Sequence, residues 1–404
     1  MKLTVLPEEF RRALPVMEKI EQAGFEAYFV GGSVRDVLLG QPIHDVDIAT
    51  SAFPAEIKAI FPRTVDIGIE HGTVLVLFEE EQYEITTFRT ESAYQDFRRP
   101  DQVSFVRSLE EDLKRRDFTI NAFAVQDDGT VIDLFDGLAD LERHVLRAVG
   151  DPHERFHEDA LRMMRGLRFV SQLGFAFEEE TFAAILENHS LLEKISVERI
   201  FIEFSKLLLG SHRNEAIRQF SATKCYRYCP GMKEAKAGLM KFSQLVSIPF
   251  ESAEAAWSVL LDHLEIPVDD IGSFMKAWKV SNDFLRECRE LVWGLQQRKL
   301  GAYTPMALYR LGDRALTVET LLTYYCRPGE AGKTALALAQ LPIRSMRELT
   351  VNGNSLMQHF HKKAGPWLKD TLHYLERGVV EKRFANDAEM LLKEAGNFLK
   401  EKPV

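Results

Sequence analysis

Two aspartates, Asp45 and Asp47, stand one residue apart in the stretch VGGSVRDVLLGQPIHDVDIAT, residues 30–50. On a strand, residues i and i+2 share a face, so the pair would present two carboxylates side by side. Carboxylates placed in this way repel each other unless a cation sits between them. Mg²⁺, a hard ion that takes carboxylate and phosphate oxygens, is the simplest resident. Gly31 and Gly32 precede the pair. Glycines let the backbone approach a ligand closely, and the amides opening the next helix suit a phosphate. A phosphate cradle beside a metal-binding pair is the equipment of nucleotidyl transfer. The plainer reading is a tight strand–turn–helix with a charged edge strand, because an isolated D-x-D is common on solvated strands.

Elements must hold these residues. Residues 1–24 read as an amphipathic helix, with Phe10, Leu14, Met17 and Ile20 on one face and Gly24 as its stop. Tyr28, Phe29 and Val30 read as a strand end, residues 34–39 as a short helix start, and Asp45-Val46-Asp47 as part of a second strand. Runs at 64–67, 74–78 and 83–88 are β-branched or aromatic, bounded by Gly68, Gly72 and the acidic turn Glu79-Glu80-Glu81, the pattern of strands in a mixed sheet. Residues 90–108 are polar, contain Pro100 and have no clean period, so they read as a loop, and a loop of that length in a compact domain is usually functional. In EDLKRRDFTINAFA, residues 111–124, the polar Arg115, Arg116, Asp117 and Asn121 stand ahead of what reads as an apolar helix. Residues 131–137 read as a closing strand and turn. From Asp151 onward strand signals nearly vanish and helical periodicity runs to the end. The expected fold class is α+β: a mixed-sheet head, residues 1–150, then an all-α neck (151–212), body (213–327) and tail (328–404).

The chain has 404 residues, 46% hydrophobic and 28% charged, an ordinary globular balance with room for several cores. No apolar run reaches the roughly 18 residues of a membrane span, and the N-terminus lacks the apolar core of a signal peptide. Cys225 and Cys229, a turn apart before Pro230, lack further ligands and read as buried thiols. The four cysteines show no paired metal spacing, which fits a reducing, cytoplasmic compartment. A net charge of −10 argues against polyanion binding by the whole surface, though not against a local basic stripe.

The Gly32-Ser33 pair followed by D-x-D resembles the signature of the DNA polymerase β-like nucleotidyltransferases. The fuller wording, GG-x-VRD-x-LLG…D-x-DIAT, resembles the bacterial (class II) CCA-adding tRNA nucleotidyltransferases and their relatives, the bacterial poly(A) polymerases. Asp96-Phe97-Arg98-Arg99-Pro100, the R-R-D-F-T-x-N-A run from Arg115, and Glu158-Asp159-Ala160-Leu161-Arg162 resemble further family motifs in the same order. Residues 196–210, with Ser196 as cap, resemble a helix that props the neck. The resemblance implies template-independent addition of CCA to the 3′ end of tRNA from CTP and ATP, with Mg²⁺ at Asp45 and Asp47. It implies a third carboxylate on a neighbouring strand, for which Glu84 is the candidate, its other reading being a partner for a nearby arginine. Gly32, Arg35 and Arg116 would bind the triphosphate, Asp159 and Arg162 the base. Arg165 and Arg168 would contact the nucleotide or support those that do. The tail, with Lys362, Lys363, Lys369, Arg377, Lys382 and Arg383, would grip the tRNA elbow. Members that add only two cytidines are shorter within 90–108, and this chain is not. Alternatives are a poly(A) polymerase, expected to carry a basic extension, an A-adding enzyme working beside a CC-adding partner, and a non-catalytic RNA-binding protein. No membrane partner is expected, and the oligomeric state stays open.

The base-reading role also follows from residue chemistry. On a helix, Asp159 and Arg162 at i and i+3 lie one turn apart, a plate with acceptor oxygens beside donor nitrogens. Cytosine and adenine each present an amino donor beside a ring-nitrogen acceptor, whereas guanine and uracil present a carbonyl beside a ring N–H. A carboxylate taking the amino proton and a guanidinium donating to the ring nitrogen accept the first two and reject the others. The plainer reading is a surface ion pair worth a few tenths of a kcal/mol. Helical geometry would place Arg168 opposite Asp159. GEAGKT, residues 329–334, imitates a phosphate-binding loop but has two residues where four are needed between glycine and GKT; a loop capping a helix is expected there.

Overall fold

The computed structural model describes residues 1–43, 45–91 and 103–401. They form two compact units, Met1–Ser243 and Gln244–Val404. The break falls within the segment 213–327 expected as one body.

The first unit carries strands β1 (Ala27–Val30), β2 (Asp47–Thr50), β3 (Thr64–Gly68), β4 (Thr73–Phe78), β5 (Glu81–Thr87), β6 (Arg89–Glu91), β7 (Val103–Phe105), β8 (Phe123–Val125) and β9 (Val131–Asp133). Seven of them make one sheet in the order β3-β4-β5-β2-β1-β8-β9. The sheet is mixed, as expected: β2 runs parallel to β5 and antiparallel to β1. Helix α1 (Glu8–Gln22) buries Phe10, Ala13, Val16, Met17 and Ile20. Its Phe10 stacks on Phe29 of β1 with ring centroids 4.1 Å apart. The central row of the sheet is Val30, Asp47 and Glu84, each the register partner of the next. The chain leaves that row at Gly31, which at φ 77° takes the left-handed backbone open to glycine and starts α2 (Gly32–Leu38).

Three expectations are corrected here. The strand begins at Asp47, so Asp45 lies ahead of it and the two aspartates do not share a strand face. The ends of the 90–108 segment are not irregular: β6 and β7 pair antiparallel, Arg89 opposite Phe105, and its D-x-x-RRP motif lies outside the described residues. After α3 (Pro54–Ile60) and α4 (Leu109–Lys114), the run through Asn121 forms one 3₁₀ turn, Thr119–Asn121, and then β8 rather than an apolar helix. Phe123, Ala124 and Val125 are all fully buried, and a short apolar run buried on both faces has no period that separates strand from helix.

Beyond α5 (Gly137–Arg143) the described chain is helical apart from a parallel pair, Val145–Leu146 with Ala176–Phe177. The neck comprises α6 (Pro152–Glu158), α7 (Leu161–Leu173), α8 (Glu179–Asn188) and α9 (Val197–Leu209). Ser196 stands at the start of α9 without a side-chain cap bond. Helices α7 and α9 meet where Gly210 lies against Ser171. A Cβ at Gly210 would stand 2.5 Å from the Ser171 carbonyl oxygen, closer than atoms can approach.

The second unit is all helical among the described residues. Trp257 and Trp278, both fully buried, pack edge-to-face at 4.8 Å, and Leu356, Leu375, Val379 and Leu391 centre a separate cluster. The GEAGKT stretch leads into the helix Ala331–Ala339. The buried Glu319 accepts from the Glu330 amide and the Thr334 hydroxyl, which fixes that loop as a helix start. No helix of the described residues is long and apolar enough to cross a membrane.

Candidate active site

Between the row Val30–Asp47 and α7 lies a cleft of about 740 Å³. Its lining includes Gly32, Arg35, Asp47, Arg116, Asp159, Arg162, Arg165 and Arg168, so the structure brings together every expected site residue except Asp45 and Glu84. Those two line an adjoining groove of about 520 Å³ that also takes in Asp47. Asp47 thus belongs to both spaces. Eight arginines line the cleft against three aspartates, Asp47, Asp117 and Asp159. In a chain of net charge −10, this is a concentrated anion site, with the planar donors that suit phosphate.

The arginines on the sheet side of the cleft are held in place by neighbouring side chains. Arg35 donates through Nη1 to Asn121 Oδ1 at 2.7 Å and through Nη2 to Asp36 at 2.7 Å. Asp112, only 1% exposed, accepts from Arg115 Nη2 at 2.8 Å and Arg116 Nη2 at 3.2 Å. Burial alone would raise the Asp112 carboxyl, but the two guanidiniums outweigh it and hold it below the usual range. Arg116 Nη1 donates to the Asn121 carbonyl, while its buried Nε has no protein partner among the described residues. The glycine that must lack a side chain here is Gly31: a Cβ would lie 3.2 Å from Asp47 Oδ2 and 3.5 Å from Arg116 Nη1. At Gly32 the nearest such atom is Arg35 Nη2 at 3.6 Å.

The acidic groove fits a divalent cation. Burial first, then the Glu84 and Asp45 carboxylates, raise the Asp47 carboxyl, and Arg116 offsets this only in part, so negative charge here is incompletely compensated by protein. Among the described residues no three His, Cys, Asp or Glu side chains stand close enough to cage a metal alone. Mg²⁺ takes only one or two carboxylates when substrate phosphates supply the rest, a number that Asp45 and Asp47 would meet.

The α7 side of the cleft differs from the expected plate. Asp159 is not helical: its backbone is extended (φ −139°, ψ 102°) and separates α6 from α7. Its Oδ1 accepts from the Leu161 amide at 3.0 Å and its carbonyl from the Arg162 amide at 3.0 Å, so Asp159 caps the first turn of α7, a role short polar side chains favour. Its Oδ2 accepts from Arg199 Nη2 at 2.7 Å. Arg162, 7% exposed, pairs with Glu158 at 2.8 Å and donates to the Arg115 carbonyl at 2.8 Å. The i, i+3 ion pair is therefore replaced by two separate pairs, Asp159–Arg199 and Arg162–Glu158. Arg165 binds the buried Asp117 through Nε at 2.7 Å. Burial would push Asp117 up, but Arg165 and the Asn121 amide hold it well below the usual carboxylate range. Arg168 does not point away. It pairs with Glu203 at 2.6 Å, lies over the Phe169 ring at 4.2 Å and reaches the same cleft, because a long side chain can lean round the helix that rigid angles place it behind.

Comparison with known proteins decides what this site belongs to. The chain is 56% identical to the CCA-adding enzyme of Enterococcus faecalis, over 97% of each chain, and 51% identical to that of Streptococcus thermophilus, over 97% of this chain and 98% of the other. Its fold matches the crystal structure of the Bacillus stearothermophilus CCA-adding enzyme in complex with CTP at TM-score 0.90 and 40% identity, covering 98% of this chain and all of that one. The chain belongs to the CCA-adding enzyme family. It is a tRNA nucleotidyltransferase. Residues 27–147 match the poly A polymerase head domain, 174–236 the probable RNA and SrmB-binding site of polymerase A, and 248–395 the putative second domain of tRNA nucleotidyltransferases. The poly(A) polymerase descriptions reflect a shared scaffold; along its whole length the chain is like the CCA-adding enzymes.

In this CCA-adding enzyme two residues matter that the expectations left out. Asp112 had a signal, since its spacing of three and four to Arg115 and Arg116 is that of helical ion pairs. Arg199 had none: in SVERIFIEF it reads as one more charge on an amphipathic helix, and only the tertiary approach of α9 to α7 puts it in the cleft.

Proposed function

We propose that this enzyme builds the 3′-terminal CCA of tRNA from CTP and ATP by metal-assisted nucleotidyl transfer, choosing its bases with Asp159 and Arg162. The observation that carries the reading is the position of Asp47, shared by the arginine-lined cleft and the acidic groove. A triphosphate held by Arg35, Arg116 and the amides after Gly31 would set its α-phosphorus beside Asp47, with the tRNA 3′ end arriving along the groove. The 3′ oxygen attacks that phosphorus, the bond to pyrophosphate breaks, and the hydroxyl proton is released. Asp45 and Asp47, with Glu84 beside them, would hold Mg²⁺, which when bound favours the ionised hydroxyl and neutralises charge on the departing pyrophosphate. Arg35 and Arg116 orient the phosphates and balance their charge.

At the other end of the cleft, Asp159 accepts from the amino group of cytosine or adenine, and Arg162 donates to the adjoining ring nitrogen. Uracil and guanine would set a carbonyl against the carboxylate, at a cost of about 1–3 kcal/mol for the missing bidentate match. Because Glu158 and the Arg115 carbonyl hold Arg162, the reading does not require Asp159 to be its ion-pair partner.

The test is addition to tRNA transcripts ending before CCA, after C and after CC, with CTP and ATP supplied singly and together. Two cytidines and then one adenosine, in that order, are expected. Adenosine added only to transcripts ending in CC would make it an A-adding enzyme, and long adenosine tracts a poly(A) polymerase.

A further inference from the structure

We infer that Arg199 of α9 is a positioning residue for base choice, holding the Asp159 carboxylate in the orientation that distinguishes cytosine and adenine from uracil and guanine. The inference rests on the base-reading role proposed for Asp159. Since Asp159 has extended backbone between two helices, no regular helix fixes where its side chain points. Two bonds do so. The Leu161 amide takes Oδ1 at 3.0 Å and Arg199 Nη2 takes Oδ2 at 2.7 Å. Among the described residues no other side chain bonds this carboxylate. An ionised carboxylate has about four lone-pair sites, so these bonds leave acceptor capacity on both oxygens for an amino group entering the cleft.

The two anchors differ in kind. The Leu161 amide belongs to α7 itself and cannot be removed without unwinding the first turn. Arg199 comes from another helix and, among the described residues, is the one charged side chain hydrogen-bonded to this carboxylate. Its exposure, 31% against 18% for Asp159, is that of a pair lining a wet cleft. A partly exposed pair adds modestly to folding, so the readout that tells the two roles apart is what Asp159 reads. Arg199 also keeps Nη1 buried without a protein partner.

The experiment is single-nucleotide addition with each of CTP, ATP, UTP and GTP, in the full-length enzyme, for wild type, Arg199→Met, Arg199→Lys, Asp159→Ala and the double variant Asp159→Ala/Arg199→Met. Arg199→Met should raise kcat/KM for UTP and GTP relative to CTP and ATP by about tenfold, part of the effect of Asp159→Ala. Arg199→Lys, which keeps a charge but not the planar fork, should fall between it and wild type. The double variant should be no less selective than Asp159→Ala alone, since Arg199 acts through that carboxylate. If Arg199→Met lowers activity equally for all four nucleotides while Asp159→Ala changes base choice, Arg199 is only structural and the inference is overturned. If Asp159→Ala leaves base choice unchanged, the base-reading role falls and the inference with it. Should Arg199→Met fail to fold, Arg199→Lys carries the test, and a wild-type ratio in that variant together with additive effects in Asp159→Ala/Arg199→Lys overturns the inference.

Discussion

At the scale of single residues, the chemistry divides between side chains that face substrate and side chains that hold them. On the proposed reading Asp45 and Asp47 belong to the first kind. Replacing either with alanine should abolish nucleotide addition, a fall of several decades, while thermal unfolding stays within about 1 kcal/mol of wild type, because Asp45 is exposed and the charge removed at Asp47 is one that burial and its acidic neighbours disfavour. Single-turnover assays alongside melting curves check this; substantial Mg²⁺-dependent activity in either variant would remove the metal-ligand assignment. Asp117 belongs to the second kind. Its carboxyl is held below the usual range by Arg165 against the cost of burial. A depressed folded pKa gives stability that is present above the unfolded value, about 3.9, and lost as pH falls toward the folded one. Asp117→Asn removes the charge facing Arg165, a guanidinium about a third exposed, and should cost about 1–3 kcal/mol at neutral pH, the deficit narrowing below about pH 4. Denaturant titrations of both proteins at several pH values measure it, and a gap that does not narrow would contradict the assigned pair. Residue identities were highly legible because the glycine turn and D-x-D lie together in sequence. Pairings were not: Asp159 to Arg199 spans 40 residues, and no local spacing announces it.

At the scale of elements, the site depends on two structural decisions, a glycine turn off the central row of the sheet and a helix interrupted at Asp159. The first was readable, since the Gly31-Gly32 turn and the β-branched and aromatic runs marked the strands around Asp47 and Glu84, and their register places the two as direct neighbours. The second was not, because RFHEDALRMMRGL keeps helical periodicity straight through the break, and an aspartate that caps a turn looks the same in sequence as one on a helix surface. The approach of α7 to α9, which carries Arg199 toward Asp159, rests on the absent side chain of Gly210. Gly210→Ala would drive a Cβ into the Ser171 carbonyl and should cost about 1–3 kcal/mol, as overpacking does. It should also raise KM for CTP and ATP together without altering their ratio, because it displaces a wall of the cleft rather than a group that meets one base. Steady-state kinetics and melting decide; unchanged stability and KM would mean the helices part without consequence.

At the scale of the whole molecule, a chain of net charge −10 must hold a polyanion, so its basic groups have to be local. In the first unit they line the cleft. In the second, Lys362, Lys363, Lys369, Arg377, Lys382 and Arg383 are all exposed, on residues matching the second tRNA nucleotidyltransferase domain. If they meet tRNA phosphates, changing Lys362, Lys363 and Lys369 to glutamine should weaken tRNA binding and flatten its salt dependence by roughly 0.7–0.9 in log–log slope for each phosphate no longer neutralised, with KM for nucleotides unchanged. Filter binding across a salt series measures this, and an unaltered slope would place the tRNA elsewhere. The division into an α/β head and helical remainder was plain from the sequence, since strand patterns stop near Asp151. The boundary at 243 was not, because one helical pattern follows another across it.

On the proposed reading, one protein site accepts C and A by their shared hydrogen-bonding edge. The most direct measurement is equilibrium titration of the enzyme with CTP, ATP, UTP and GTP, in Mg²⁺ and without tRNA, for wild type and Asp159→Ala. CTP and ATP are expected to bind within about tenfold of each other and UTP and GTP about tenfold or more weakly, with Asp159→Ala closing the gap. Equal binding of all four by the wild type, or an undiminished gap in Asp159→Ala, would contradict it.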